Sequence, residues 1–143
     1  MTAAVAIAPA ALIKQARAWL GVPFRHQGRT RISCDCLGFI AGMLGELDSV
    51  TALELLPINY GREPQALLLD ILAQHCKQTT LKPAVLLAIK WPLAEYPSHA
   101  AIYTGESMIH CFEAVGRVVE HGYRPPWIAR TMSIWALPDV TYP

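Results

Sequence analysis

Charge is scarce in this sequence. Only 16% of its 143 residues are Asp, Glu, Lys or Arg, against about 25% in ordinary soluble domains. The formal net charge is +1, so there is no basic excess of the kind that binds nucleic acid wholesale, and no nucleic-acid partner is expected. Long hydrophobic runs are missing as well. The longest, Ala3 to Ile13, falls well short of the ~20 residues of a spanning helix. Lys14 follows that run rather than preceding it, which is the wrong order for a secretory signal and reads instead as the apolar half of a first helix. No membrane insertion is expected, and synthesis is expected in the cytosol without an export signal.

Cysteine is sparse too. Four residues, Cys34, Cys36, Cys76 and Cys111, are too few and too scattered for a disulfide framework. Cys34 and Cys36 form C-x-C rather than C-x-x-C, and no second pair follows. A zinc module built from them and a histidine therefore stands as a remote alternative, and neither metal nor cofactor is expected. What the chain has in abundance is apolar character: 53% hydrophobic residues and a mean hydropathy of +0.29. That excludes intrinsic disorder. A mass of 15.7 kDa suits one domain, which at this length buries roughly 70% of its unfolded surface. Residues 1–143 read as a single unit with no repeat or linker.

Periodicity divides the chain in two. Pro9 to Leu20 carries a 3.6-residue stripe at Leu12, Ile13, Ala16, Trp19 and Leu20, stopped by Gly21 and Pro23. A basic loop, Arg25 to Ser33, leads to a second helix from Cys36 to Leu47, with Asp35 or Ser33 as its N-cap. Its glycines at 38, 42 and 45 predict close packing against a neighbour. Gln65 to Lys77 predicts a third helix. Beyond Pro83 the pattern turns to strands at Ala84–Ile89, His99–Thr104, Ser107–Phe112, Arg117–His121 and Met132–Leu137, with a hairpin turn at Gly105-Glu106. Helices first and strands after is the α+β arrangement.

The residue best placed for chemistry is Cys36. At a helix start its sulfur meets unpaired N–H groups and the positive end of the dipole, which predicts a lowered thiol pKa and a nucleophilic thiolate. A cysteine nucleophile needs a base, and the base needs a group to hold its tautomer. His99 and His110 flank the Gly105-Glu106 turn at nearly matched positions, so paired strands set their imidazoles side by side. Cys34 and Cys111 read as buried thiols, a resting disulfide between Cys34 and Cys36 staying open. Trp91, Trp127 and Trp135 read as core or interface. His75 and His121 have no evident partner.

WLGVPFRHQGRTRISCDCLGFI, followed much later by SHAAIYTGESMIHC, resembles the NlpC/P60 family of papain-like cysteine peptidases. Trp19, Gly21, Pro23, Gly28, Asp35, Cys36 and Gly38 match that family's W-x-G-x-P-Y-x-x-G-G…D-C-S-G segment. His99, Ile102, Tyr103, Gly105, Ile109 and His110 match its H-V-G-I-Y…I-H segment. NYGREP (Asn59 to Pro64) and MIHCFEAVGRVVEH (Met108 to His121) are similar to a narrower branch, the peptidases of tailed-phage and gene-transfer-agent tail modules. The chain departs from the pattern at Phe24, where the family has tyrosine, at Leu37 for serine, and at Pro83-Ala84-Val85 for Pro-Gly-Asp.

The resemblance implies a papain-like fold, N-terminal helices packed on a C-terminal antiparallel sheet. Cys36 is then the nucleophile, His99 the general base and His110 the third polar member. Asp35 corresponds to an aspartate that holds the substrate's free amine, a role that stays open beside its reading as an N-cap. Phe24 and Arg25 border the cleft, and Arg25, His26, Arg29 and Arg31 are either carboxylate contacts or a solvated basic loop. The implied substrate is the stem peptide of bacterial peptidoglycan, cut beside D-glutamate. The implied setting is a phage-like tail that acts at the cell wall, with tail-tip proteins as partners. Two alternatives remain: a weak or inactive structural tail subunit, and an acyltransferase or amidase on the same triad.

Overall fold

Pro9 opens helix α1 (Pro9–Arg17) at its first turn, where the missing N–H of proline has no helical partner to lose. The computed structural model describes residues 5–49 and 67–143, so NYGREP lies outside the described residues. Leu12, Ile13 and Ala16 of α1 are buried. The expected last turn to Leu20 is not α-helical: Trp19 N–H bonds Ala16 O and Leu20 N–H bonds Arg17 O, a tighter turn that ends at Gly21.

Helix α2 (Cys36–Glu46) starts where Asp35 caps it, Oδ1 accepting from Gly38 N–H at 2.8 Å, an interaction typically worth about 1 kcal/mol. Its glycines differ. A Cβ on Gly38 would lie 1.7 Å from Gly28 O, and one on Gly42 2.5 Å from the Trp19 ring, whereas Gly45 has nothing within 4 Å. The close packing expected of all three therefore holds for Gly38 and Gly42 alone. The Trp19 indole fits under this helix and donates to Glu46 at 2.6 Å, which leaves no buried polar atom there unpaired. The third helix, α3, is described over Leu67–His75.

Among the described residues the strands form one six-stranded sheet in the order β1-β6-β2-β3-β4-β5. They are β1 (Lys77–Gln78), β2 (Leu86–Ile89), β3 (His99–Tyr103), β4 (Ser107–Phe112), β5 (Arg117–Gly122) and β6 (Thr131–Ala136), each neighbour pair antiparallel. Two elements are absent from the sequence pattern. Lys77 pairs with Ala136 as an edge strand instead of closing the third helix, and a single turn, α4 (Trp127–Arg130), precedes β6. Gly105 takes φ +117° in the β3–β4 turn, a conformation open to glycine at little cost. Ala84 takes φ +75° where the family pattern has glycine, a strain of about 1–2 kcal/mol for an L-residue.

One sheet face, with Leu86, Ala88, Ala100, Ile102, Ile109 and Cys111, packs under the helices in the main core. The other carries Val85, Leu87, Ile89, Ala101 and Met108, covered by Tyr103, Tyr123, Trp127 and Ile134. Among the described residues no helix is long and apolar enough to cross a membrane.

Candidate active site

Cys36 is the first residue of α2, and α2 packs on β3 and β4. That contact brings the sulfur to β3 at His99. Cys36 Sγ lies 3.9 Å from Ser98 O, and the backbone N–H of Ala100 points to it from the other side of His99. The site end of β3 is open for this because the registered pairs with β4 are Ile102↔Ile109 and Tyr103↔Met108. The pairing does not continue to His99.

His99 and His110 are buried, 5% and 0% exposed, and joined by a hydrogen bond of 2.6 Å between Nε2 of His99 and Nδ1 of His110. Their relation is diagonal rather than nearly matched, since the β3–β4 register carried on sets His110 opposite Ala101. Diagonal neighbours remain within reach for rings of this size. With Nε2 engaged by His110, Nδ1 is the ring nitrogen of His99 that does not face it. Orientation is fixed by aromatic walls: Trp91 stacks on His99 at 5.5 Å between centroids, and Phe112 and Trp127 stand 5.9 and 6.4 Å away.

Electrostatics run against the expectation for Cys36. Burial at the helix–sheet junction pushes its thiol up to about 12, and the neighbouring Asp35 carboxylate adds to the rise. The N–H groups of Ala100 and Leu37 pull back only in part. Burial likewise pushes His99 down to about 3 and His110 down to about 2, the latter helped by repulsion from His99 and His121. The resting pair is thus a thiol and a neutral imidazole, and the preformed thiolate predicted from the helix start is corrected. The sequence pattern located the helix end and could not show the desolvation.

The remaining predicted residues fall around this centre. Asp35 is 5% exposed; besides capping α2 it accepts from Gln27 N–H at 2.8 Å through Oδ2, with His26 Nδ1 at 4.0 Å. Phe24 is half-buried against the main core, its N–H bonded to Gly116 O. Arg25 is exposed and holds the loop through its backbone, N–H to Cys34 O. Arg31 is committed to Glu46 at 2.6 Å. Cys34 is buried in the core, and Cys111 Sγ donates to its carbonyl at 3.1 Å. All four cysteines are free thiols, and among the described residues no group of three or more His, Cys, Asp or Glu is placed to hold a metal ion.

Three solved structures share this fold. An NlpC/P60 family protein from Bacillus cereus superposes with a TM-score of 0.67 at 20% identity, over 92% of this chain and 40% of that one. The NlpC/p60 domain of the peptidoglycan hydrolase SagA gives 0.57 at 20% identity, over 90% and 97%. NlpC1 from Trichomonas vaginalis gives 0.64 at 14% identity, over 90% and 44%. The fold is the NlpC/P60 fold. It is the expected α+β papain-like architecture, and this chain spans less than half the length of the Bacillus and Trichomonas proteins. No protein-family profile matches the sequence, and no curated protein matches it.

Sequence reasoning missed several residues of the site. His121 Nε2 lies 2.8 Å from His110 Nε2, so the imidazoles form a chain of three. The signal was available, because the hairpin register pairs His110 with Val119, two residues from His121. Trp91, Phe112 and Trp127 are walls of the imidazole site rather than general core. Arg130 lies 5.4 and 5.5 Å over the Trp91 and Trp127 rings. Trp127 could not be placed without α4, which carries no pattern of its own.

Proposed function

We propose that the chain is a cysteine peptidase that hydrolyses amide bonds in the stem peptides of bacterial peptidoglycan. The observation that carries this reading is the Cys36 sulfur seated against β3 on both sides of His99, with His99 hydrogen-bonded to His110. The NlpC/P60 fold, shared with a domain of a peptidoglycan hydrolase, supports the substrate class.

In this mechanism the sulfur is a thiol at rest. As it attacks the substrate carbonyl, its proton passes to Nδ1 of His99. His110 keeps Nε2 of the imidazolium paired and its ring in place. The oxyanion forms at the start of α2, where the Cys36 N–H has no intrahelical acceptor; such a donor is worth about 10²–10³ in rate. His99 returns the proton to the leaving amine, which completes the thioester. Water then attacks the thioester with His99 as base, and Cys36 recovers its proton. Asp35 is proposed to hold the substrate's amine. Phe24 and Arg25 are proposed to border the bound peptide, Phe24 without a hydroxyl to offer.

The test is turnover of purified peptidoglycan fragments, followed by chromatography and mass spectrometry. The wild type is expected to release stem-peptide products, and Cys36→Ala and His99→Ala to release none. The raised Cys36 thiol and Phe24 favour a second reading, a structural subunit that keeps the fold without turnover, for which wild type and Cys36→Ala are equally silent. An acyltransferase or amidase would instead give a transferred or differently cut product, since water is one acceptor of the thioester among several. The setting in a phage-like tail, with delivery to the cell wall, rests on the similarity of Met108 to His121 and Asn59 to Pro64. It predicts that Cys36→Ala particles assemble and lose infectivity, whereas a structural subunit predicts particles that infect normally.

A further inference from the structure

We propose that His121 is a positioning residue that dictates which nitrogen of His99 carries a proton, acting through His110. This rests on the reading of Cys36 and His99 as nucleophile and base. The observation is a directed chain of contacts. His121 Nδ1 lies 3.1 Å from Gly122 O, His121 Nε2 lies 2.8 Å from His110 Nε2, and His110 Nδ1 lies 2.6 Å from His99 Nε2.

A carbonyl oxygen can only accept, so Nδ1 of His121 must donate. In the proposal His121 is the neutral imidazole, with one donor and one acceptor nitrogen, which makes its Nε2 the acceptor. Nε2 of His110 must then donate and its Nδ1 accept. By the same step Nε2 of His99 donates, and Nδ1 of His99 is left with a lone pair. That is the nitrogen the sulfur's proton needs. The opposite order would aim a bare Nδ1 of His121 at the Gly122 carbonyl, acceptor against acceptor. One backbone oxygen two imidazoles away thus selects the competent tautomer. Burial holds His99 and His110 neutral, so neither can escape the choice by gaining a second proton. On taking the thiol proton at Nδ1, His99 keeps its Nε2–H on His110, and no proton has to travel along the chain.

Exchanging donor for acceptor at position 121 tests this. His121→Glu accepts only and preserves the order; His121→Lys donates only and reverses it; His121→Ala leaves it unset. Nitrogen-15 NMR of the imidazoles reads the tautomers directly, and steady-state hydrolysis of peptidoglycan fragments reads the consequence. In the wild type and His121→Glu, His99 is expected to carry its proton on Nε2, with kcat within severalfold of each other. In His121→Lys the proton is expected on Nδ1, with kcat down by about 10³ or more and KM little changed, in line with the ~10⁴ loss when a triad histidine is held in the wrong tautomer. His121→Ala is expected between them, about tenfold down. Equal losses in His121→Glu and His121→Lys, or a wild-type His99 protonated on Nδ1, would overturn the proposal. If the tautomers follow position 121 while no protein, wild type included, turns over substrate, the positioning role stands and the peptidase reading fails.

Discussion

At Cys36 two effects of one residue's place oppose each other. The helix start favours an anion, by at most about 2 kcal/mol in a partly buried site, or roughly 1.5 pK units. Desolvation with the Asp35 charge moves the thiol from 9.0 to about 12. Burial wins, and the sulfur waits protonated. Alkylation of the resting protein by iodoacetamide, mapped by peptide mass spectrometry, should therefore label Cys36 slowly at neutral pH and rise about tenfold per unit toward strong alkali. A reactive plateau on the acid side would contradict this. Asp35→Asn keeps the cap, since asparagine caps as well as aspartate, but removes the charge. Its Cys36 should titrate lower and alkylate faster at mildly alkaline pH than in the wild type; an unchanged profile would remove Asp35 from the account. The candidate nucleophile was legible from D-C-x-G and the helix start. Its protonation state was not, because that depends on how β3 closes over the sulfur.

At the scale of elements, Gly38 joins the basic loop to α2. Because an added Cβ would meet Gly28 O at 1.7 Å, and backbone cannot move aside as a side chain can, Gly38→Ala should lose about 3 kcal/mol by urea denaturation. Gly45→Ala, in open space on the same helix, should gain about 0.5–1 kcal/mol. Similar effects from both would mean that α2 and the loop do not meet at Gly38. The strands from β2 to β6 were readable within a residue or two because they alternate or run apolar between turn residues. β1 was not, since two exposed residues paired to the end of β6 leave no periodicity. α4 was not either, being one turn without a buried residue. Missing α4 meant missing Trp127 as a wall of the site, and counting across the turn without a register gave His99 and His110 as nearly matched rather than diagonal.

For the molecule as a whole, two buried neutral imidazoles couple the fold to pH. Both His99 and His110 have folded values far below the ordinary 6.5. Below 6.5 the unfolded chain binds protons that the folded one refuses, so stability is full above that value and falls as pH drops toward 3. The slope is up to about 1.4 kcal/mol per pH unit for each imidazole. Urea midpoints measured from about pH 7 to about pH 4 should fall in that order, and less steeply in His99→Gln; a flat wild-type profile would mean that these imidazoles are charged or solvated in the fold. The α+β architecture was legible from the switch of periodicity at Pro83. The environment of the site was not, because it is assembled from β2–β3 loop, hairpin and α4 residues that only the tertiary fold brings together.

The central claim is that Cys36 attacks an amide and carries the acyl group. It is tested most directly by mixing the protein with peptidoglycan stem peptides, quenching in acid within the first turnovers, and mapping the cysteines by mass spectrometry. The account predicts a hydroxylamine-labile acyl adduct on Cys36 alone, absent in His99→Ala. Substrate consumed with no adduct on Cys36 and full activity in Cys36→Ala, or no consumption by a folded wild-type protein under any condition that supports the tautomers described, would contradict it.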